Sequence, residues 1–378
     1  SNMNKKELEL YIHIPFCVRK CSYCDFLSAP ATEQTREAYM AALFAEIGGR
    51  AKDYSDRTVT SIFIGGGTPS LLSGEQIGQL MDRIREQFAM AQDAEITMEV
   101  NPGTASAEKL RNFYTAGINR LSIGMQSAQA EELKNLGRIH DFEGFCQVYR
   151  EAVEAGFTNI NVDIMSGLPG QTLASYRDTL EKVLHLEPMP QHISAYSLIV
   201  EEGTPFAAMA ERGELPLPEE ETERAMYEET IEVLAKYGFH RYEISNYARD
   251  GYECRHNVGY WIRRDYLGFG IGAASLIDNV RFQNEKSLGA YLAHPLESRE
   301  EEQTLTVQDR MEETMFLGLR LTRGVSCVDF AEQYGRTVEE VYGEVIARNV
   351  ADGLLTVTER KENQKKDRFL ALTKRGLD

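Results

Sequence analysis

Three cysteines stand close together near the start of the chain, in the stretch YIHIPFCVRKCSYC. Cys17, Cys21 and Cys24 fall within eight residues, at C-x3-C-x2-C spacing. Thiolates bind soft metals, and three of them on one loop can bind a [4Fe–4S] cluster at three corners, leaving one iron open to a substrate or cofactor. A structural zinc site needs four protein ligands, and the next cysteine along the chain is the distant Cys146. The spacing favours the cluster over zinc and over three unconnected core thiols.

A glycine run and a carboxylate come directly after short apolar segments. Gly65, Gly66 and Gly67 follow IFI (62–64), and glycines there would let a ligand approach the backbone closely. Glu99 lies near the end of the segment EITMEV, where a carboxylate can accept hydrogen bonds from hydroxyl or amino groups. A simple glycine turn and a solvated carboxylate are the alternatives for these two features.

Apolar segments in the first half are predicted to be β-strands, and the charged, Ala- and Leu-rich segments between them are predicted to be helices. The strands are predicted at 10–14, 60–65, 95–100, 118–124, 158–164 and 191–198, and the helices at 34–52, 73–88, 106–115, 128–155 and 171–186. Alternating strands and helices indicate parallel strands joined by right-handed crossovers. We therefore predict an α/β fold with a partial (β/α)6 barrel, which binds ligands at the C-terminal ends of its strands.

The second half of the chain has a looser pattern. A helix is predicted at 218–237, a Gly- and Tyr-rich region follows at 238–275, and further helices are predicted at 306–320, 326–333 and 337–350, before a tail that looks like a hairpin. Helices followed by such a tail resemble a winged helix. The segment 301–378 carries 12 Lys/Arg against 15 Asp/Glu, so we expect a structural or docking module rather than a DNA-binding one.

Three domains are predicted from these patterns. Residues 3–205 form the barrel core, residues 206–300 form an extension that completes the site, and residues 301–378 form a mostly helical, winged-helix-like C-terminal domain.

The cysteine loop resembles that of the radical S-adenosylmethionine (SAM) superfamily, because a strand leads into C-x3-C-x2-C and an aromatic residue, Tyr23, precedes the last cysteine. The longer stretch is similar to the oxygen-independent coproporphyrinogen III oxidase group of that superfamily. The resemblance implies a [4Fe–4S] cluster on the three cysteines, and SAM that chelates the open iron and yields a 5′-deoxyadenosyl radical on reduction. It also implies a set of SAM contacts, namely Tyr11, Tyr23, Gly66, Gly67, Thr68, Glu99, Gln126, Arg138 and Asp163.

Two branches of this group are alternatives for the chain. One branch contains oxidases, which decarboxylate two propionates of coproporphyrinogen III to give protoporphyrinogen IX. The other contains haem chaperones, which bind haem and pass it to respiratory haem proteins. The oxidases resemble C-x3-C-x2-C-x-C and carry an extension before the loop, whereas here the fourth position is Phe26 and only a short segment precedes the loop. Both departures favour the chaperone, with the oxidoreductase as the alternative. A third hypothesis is an adaptor with structural zinc.

A second motif lies in CRHNVGYWIRRDYLGFGIGAAS (254–275). Its H-N-x-x-Y-W, formed by His256, Asn257, Tyr260 and Trp261, is similar to a motif associated with haem binding in the chaperone branch. An imidazole can coordinate haem iron, and the two aromatic rings offer flat apolar surface for a macrocycle. A packed, hydrogen-bonded histidine is the alternative for His256.

Composition argues against other classes of partner. The net charge of −18 repels phosphate backbones, so nucleic acid is not an expected partner. We find no apolar segment long enough to span a bilayer, and the polar start SNMNKKELEL lacks the pattern of an export signal. We therefore expect a cytoplasmic protein with reduced cysteines, peripheral to the membrane if a membrane enzyme receives its haem. The expected cargo is haem or a porphyrinogen, and the expected recipients are respiratory haem proteins.

Overall fold

The computed structural model describes residues 6–18, 31–297, 299–362 and 365–377. Strand and helix alternate in its first half. The elements are β1 Lys6–Ile14, α1 Glu33–Arg50, β2 Arg57–Gly66, α2 Gly74–Gln87, β3 Ala89–Val100, α3 Ala107–Thr115, β4 Arg120–Gln126, α4 Ala130–Leu136, α5 Phe142–Ala155, β5 Ile160–Ser166, α6 Leu173–Leu184 and β6 His192–Ser197. Strands β1 to β6 lie side by side in chain order and pair in parallel, as the predicted barrel requires.

Further elements follow β6, and the strands among them extend this sheet at both edges. They are α7 Pro205–Glu211, α8 Glu220–Lys236, β7 His240–Arg241, β8 Asn246–Ala248, α9 Arg255–Trp261, β9 Tyr266–Phe269, β10 Ala274–Ile277, β11 Val280–Asn284, α10 Leu288–Ala293 and β12 Arg299–Thr304. Strand β9 pairs in parallel with β1, and β10, β11 and β12 continue antiparallel beyond it. At the other edge β8 and β7 follow β6, also antiparallel.

The outward faces of the barrel strands pack into the main hydrophobic core, which explains why every second residue of a strand such as β1 is apolar. In β1 the side chains of Leu8, Leu10 and Ile12 are fully buried in the main hydrophobic core. Because side chains alternate along a strand, Glu9 and His13 point to the opposite face, which is the interior of the barrel. Polar side chains line much of that interior, where they can contact a bound ligand or one another.

Most helices between the strands bury one apolar stripe and begin at a capping side chain, as α2 shows. In α2 the buried residues Ile77, Leu80, Met81 and Ile84 form one stripe at helical spacing. Ser73 begins this helix through a reciprocal capping box, which satisfies backbone amides that have no partner within the helix.

The single helix predicted at 128–155 is wrong, because the structure has two helices there, α4 and α5. Gly137 adopts a left-handed conformation with φ of 78° and ends α4, and the side chain of Asp141 caps the start of α5. Hydrophobic periodicity continues across this break and therefore did not reveal it. The loop between the two helices carries Arg138 and His140.

The C-terminal part forms a separate small unit. It contains α11 Val307–Gly318, β13 Val325–Ser326, α12 Cys327–Tyr334, α13 Val338–Ala351, β14 Leu355–Glu362, β15 Lys365–Leu372 and α14 Lys374–Leu377. Its three strands form their own sheet in the order β13-β15-β14. Helices α11, α12 and α13 packed with such a sheet match the predicted winged-helix-like architecture. The division into three domains stays a prediction, and its boundary at residue 300 falls within β12, a strand of the large sheet.

The small unit contacts the barrel through an ion-pair cluster. Glu313 of α11 pairs with Arg263 at 3.1 Å and with Arg281, which lies on β11. Among the described residues, we find no helix with the length and apolar character needed to cross a membrane.

Candidate cofactor-binding site at the C-terminal ends of the strands

The barrel has a cleft at the C-terminal ends of β2 to β5. Six residues predicted from the sequence line this cleft together, namely Gly67, Thr68, Glu99, Gln126, Arg138 and Asp163. Sequence reasoning missed Asn101, Ser122 and Gly124, which also line it. Asn101 directly follows β3, and Ser122 and Gly124 lie four and two residues before Gln126 on β4, so their position in the predicted barrel could have identified them.

The glycine run packs against the chain just before the first cysteine. The backbone amide of Gly67 donates to the carbonyl of Ile14, and that of Thr68 donates to the carbonyl of Phe16, both at 2.6 Å. A Cβ atom added at Gly67 would lie 2.6 Å from the Phe16 carbonyl oxygen, and one added at Gly66 would lie 2.6 Å from the His13 ring. Close packing therefore explains these glycines, in addition to the predicted approach of a ligand. The contact ties the loop after β2 to the residue preceding Cys17.

Gln126 lies at the end of β4 in a strained conformation. Its φ is 67°, in the left-handed region that residues other than glycine rarely adopt, and the pairing of β4 with β5 shifts register between Gly124 and Gln126. Such strain costs about 1–3 kcal/mol and is concentrated at functional sites. The register shift directs the Gln126 side chain into the cleft.

Two carboxyl groups with raised pKa values face this cleft. Burial and, to a smaller extent, the nearby Asp163 raise the pKa of Glu99 to about 8, against the opposing effect of a hydrogen bond from the Gly66 amide. Burial raises the pKa of Asp163 to about 6, opposed by a hydrogen bond from Asn161 and by Arg120 and Arg138. Without a cationic ligand, the cleft therefore keeps a proton on Glu99 near neutral pH. A positive group bound there would favour its release.

The loop between α4 and α5 brings a guanidinium group to the same cleft. Arg138 donates from Nη2 to the carbonyl of Gly124 at 3.4 Å. Next to it, His140 is buried and its Nε2 lies 3.0 Å from the carbonyl of Met125. Burial and the charge of Arg138 lower the pKa of His140 to about 4, so this imidazole is neutral and donates to Met125. His140 thus anchors the loop that carries Arg138.

The H-N-x-x-Y-W residues lie at the opposite end of the barrel. Helix α9 contacts Ser61 and Glu95, and each precedes the cleft end of its strand by five residues, or about 17 Å. His256 is fully buried, and its two ring nitrogens lie 2.8 Å from the hydroxyl of Ser61 and 2.6 Å from that of Tyr260. Ligation of iron by this imidazole would require one of these hydrogen bonds to break. Asn257 is half-buried on the same helix.

The buried carboxyl group of Glu9, which packs against Gly259 of α9, makes the stability of the fold depend on pH. Burial raises the pKa of Glu9 to about 8 against the opposing charge of Arg264, and its Oε1 atom has no hydrogen-bond partner in the described part of the chain. The ordinary pKa is 4.5, so the stability that protonated Glu9 contributes is complete below pH 4.5 and is lost as the pH rises through 8.

We therefore expect the free energy of unfolding in urea to fall between pH 6 and pH 8. Glu9→Gln should reduce this slope by about 1.4 kcal/mol per pH unit, while Glu99 continues to contribute in the same direction. The exposed Glu211 offers a matched control, because Glu211→Gln should leave the slope unchanged. An unaltered slope in Glu9→Gln would contradict the raised pKa.

Comparison with known proteins places the chain in a family. Residues 11–183 match the Radical SAM superfamily, and residues 305–378 match the HemN C-terminal domain. The heme chaperone HemW of Bacillus subtilis is 40% identical over 352 residues, which are 91% of this chain and 92% of that protein. The heme chaperone HemW of Escherichia coli is 37% identical over 92% of each chain. This chain belongs to the HemW family of the radical SAM superfamily.

A solved structure agrees with this membership in the HemW family. Coproporphyrinogen III oxidase (HemN) from Escherichia coli, described as a radical SAM enzyme, superposes with a TM-score of 0.82 at 28% identity. The match covers 99% of this chain and 88% of that one. The predicted fold class, a partial radical SAM barrel followed by a mostly helical C-terminal region, is confirmed.

The radical SAM superfamily uses a [4Fe–4S] cluster and SAM, and the described residues of this HemW-family chain fit both. Cys17 directly follows Phe16, whose carbonyl binds the Thr68 amide beside the cleft, so the first predicted thiolate is close to it. Glu99 and Asp163 are complementary to the ammonium and hydroxyl groups of SAM, and Arg138 is complementary to its carboxylate. Cys21, Tyr23 and Cys24 lie outside the described residues.

Proposed function

We propose that this chain is a haem chaperone that carries a [4Fe–4S] cluster with SAM, binds haem and delivers it to recipient haem proteins. The observation that carries this proposal is the similarity to curated heme chaperones HemW, four of which are 36–40% identical over about nine tenths of this chain. The cysteine loop supports it independently, since Phe26 stands where the oxidases have a fourth cysteine.

We assign the cofactor contacts as follows. Cys17, Cys21 and Cys24 ligate the cluster, and the SAM site is formed by Tyr11, Tyr23, Gly66, Gly67, Thr68, Glu99, Gln126, Arg138 and Asp163. When bound and reduced, the cluster with SAM supplies 5′-deoxyadenosyl radical chemistry. The glycine loop and the strained Gln126 orient the ligand, Arg138 neutralises a carboxylate, and Glu99 releases its proton as a cationic group arrives. The haem role of His256, Asn257, Tyr260 and Trp261 stays a prediction from sequence.

A titration with haem, run beside an oxidase assay on the same sample, tests the function. Anaerobically reconstituted protein should give a shifted, sharpened Soret band that saturates with added haem. With dithionite and SAM it should leave coproporphyrinogen III unchanged, while E. coli HemN converts it in a parallel reaction. Turnover of coproporphyrinogen III by this chain, or the absence of any Soret change, would reject the chaperone function. Colourless protein containing zinc would favour the adaptor.

We propose the proteins that receive haem from this chain only as a class. A haem chaperone must release its cargo to a protein that binds haem more tightly, and respiratory haem proteins are the expected class. If such a recipient lies in a membrane, this chain would work in the cytoplasm and contact that membrane peripherally. Transfer of the Soret band from the loaded chain to an apo-cytochrome, separated afterwards by size exclusion, is the measurement that checks it.

A further inference from the structure

Helix α1, which follows the cysteine loop along the chain, carries a buried tyrosine that contacts the residues just before the first cysteine. The hydroxyl of Tyr39 donates to the carbonyl of His13 at 2.5 Å, and its ring packs edge-on against that of Phe16, with ring centroids 5.2 Å apart. Phe16 directly precedes Cys17, and Tyr39 is completely buried. One side chain therefore holds both the backbone and the ring that lead into the cysteine loop.

The same hydroxyl connects the end of β1 to the turn that follows β9 (270–273). It accepts a hydrogen bond from the backbone amide of Ile271 at 3.1 Å. Gly270 has a φ of 99°, and an added Cβ atom there would collide with the Tyr39 hydroxyl and lie 2.7 Å from the carbonyl oxygen of His13. Because β9 pairs in parallel with β1, this turn lies at the same edge of the sheet as the cleft. Tyr39 thus bridges two neighbouring strand ends.

A buried carboxyl group two turns further along α1 holds the same turn. Oε1 of Glu46 accepts hydrogen bonds from the amide of Gly270 at 2.9 Å and from the hydroxyl of Tyr291 at 2.8 Å. Oε2 accepts from the side-chain amide of Asn284 at 2.8 Å and from Nε of Arg50 at 3.1 Å. These donors offset the cost of burying the carboxyl group, and they fix the turn after β9 against α1.

The chain between β1 and Cys17 is therefore held from two sides. The glycine loop after β2 donates backbone amides to the carbonyls of Ile14 and Phe16, both at 2.6 Å. On the other side, Tyr39 donates to the carbonyl of His13. All three carbonyls belong to the four residues before Cys17, so a change on either side moves the point at which the chain enters the cysteine loop.

We propose that Tyr39 is a positioning residue for the cysteine loop: its hydroxyl bridge sets where the chain enters this loop, and Glu46 holds the turn on which the bridge depends. Without the bridge the barrel still folds, but the first thiolate and the cleft residues lose their relative placement, to which ligand binding is sensitive. The inference rests on the proposed function for the assignment of the cluster and of SAM to these residues.

Two full-length variants and two matched controls, all reconstituted anaerobically, test this role. Tyr39→Phe removes the hydroxyl and keeps the ring, and Tyr149→Phe is its control, because this buried tyrosine on α5 also donates to a backbone carbonyl, that of Pro188, at 2.5 Å. Gly270→Ala forces the turn away from Tyr39. Its control is Gly251→Ala, because Gly251 is also left-handed, with a φ of 85°, and an added Cβ atom there would meet no atom within 4 Å.

Iron content, the dissociation constant of SAM, the melting temperature and the electron paramagnetic resonance (EPR) spectrum of the reduced cluster are measured for each protein. We expect Tyr39→Phe and Gly270→Ala to bind SAM about fivefold more weakly than the parent and to give an altered EPR spectrum in the presence of SAM. Both controls should keep the parental spectrum and bind SAM within about twofold of the parent. The melting temperatures of Tyr39→Phe and Tyr149→Phe should both fall, because each loses buried hydrogen bonding.

A purely structural role would leave Tyr39→Phe with the parental SAM affinity and EPR spectrum and lower only its melting temperature, and this result would reject the proposal. Loss of iron from Tyr39→Phe alone would support it, whereas equal loss from Tyr149→Phe would reject it. If Gly270→Ala does not fold, Tyr39→Phe and its control decide.

Failure of the proposed function gives a different result. A parent chain that holds iron and binds SAM but no haem would overturn the chaperone function, while the comparison of Tyr39→Phe with Tyr149→Phe would still decide the positioning role. A parent chain that holds no iron after reconstitution would reject both.

Discussion

Replacing Cys21 by alanine should reduce the iron and sulfide content of the anaerobically reconstituted chain to background. Three thiolates are the only protein ligands that the C-x3-C-x2-C loop offers to the cluster, and two cannot retain it. The broad brown absorbance should disappear, and binding of SAM should be lost with it, because the open iron is gone. The far-ultraviolet circular dichroism should stay unchanged, since the barrel core is formed by other residues.

Cys146 provides the matched control for this prediction. It is half-buried on α5 and only packs against the main core, so Cys146→Ala should bind a full complement of iron. Retention of iron and sulfide by Cys21→Ala would mean that the loop is not the cluster site. Loss of zinc instead of iron would favour the adaptor with a structural zinc.

Substituting Gly67 by alanine should weaken SAM binding by at least about tenfold, and it should also lower the yield of reconstituted cluster. The added methyl group would lie 2.6 Å from the carbonyl oxygen of Phe16 and 2.9 Å from that of Ile14. Both are backbone atoms, so no change of rotamer relieves the overlap, and the loop after β2 must move away from the residues beside Cys17. Overpacking of this kind costs about 1–3 kcal/mol in stability. Equilibrium dialysis with SAM and iron analysis measure the two effects.

Gly78 is the corresponding control glycine. It lies in α2 and an added Cβ atom would meet no atom within 4 Å, so Gly78→Ala should leave SAM affinity unchanged and raise stability slightly through its better helix propensity. If Gly67→Ala binds SAM as tightly as the parent, the contact between the glycine loop and the chain before Cys17 does not shape the site.

Much of the barrel could be predicted from sequence because each strand is a short apolar segment between helical patterns. Each of the six predicted strands coincides with an observed one, and the parallel order follows from the crossover rule. The cleft residues could be grouped for the same reason, since C-terminal strand ends converge in a barrel. The prediction of one helix at 128–155 was wrong because hydrophobic periodicity does not reveal the left-handed Gly137, which ends α4, or the short loop that follows it before α5.

The surroundings of His256 show what the H-N-x-x-Y-W motif does not reveal by itself. Its residue types fit haem ligation, and a sequence gives no information about which partners surround an imidazole. The partners here are Ser61, 195 residues away along the chain, and Phe63. Burial lowers the pKa of His256 to about 3, helped by Arg120 and Arg264, so the ring is a neutral member of a packed network.

By itself the sequence determined the chemistry that the chain can carry: three thiolates at cluster spacing, a glycine loop, and strand-end polar residues on alternating strands and helices. These are local properties, set by residue type and short-range spacing. Tertiary structure alone decided that the glycines pack on the chain before Cys17, that Gln126 enters the cleft through a register shift, and that α9 packs against Glu9 and Glu95. Such contacts join residues distant along the chain, and their geometry depends on how the whole barrel packs.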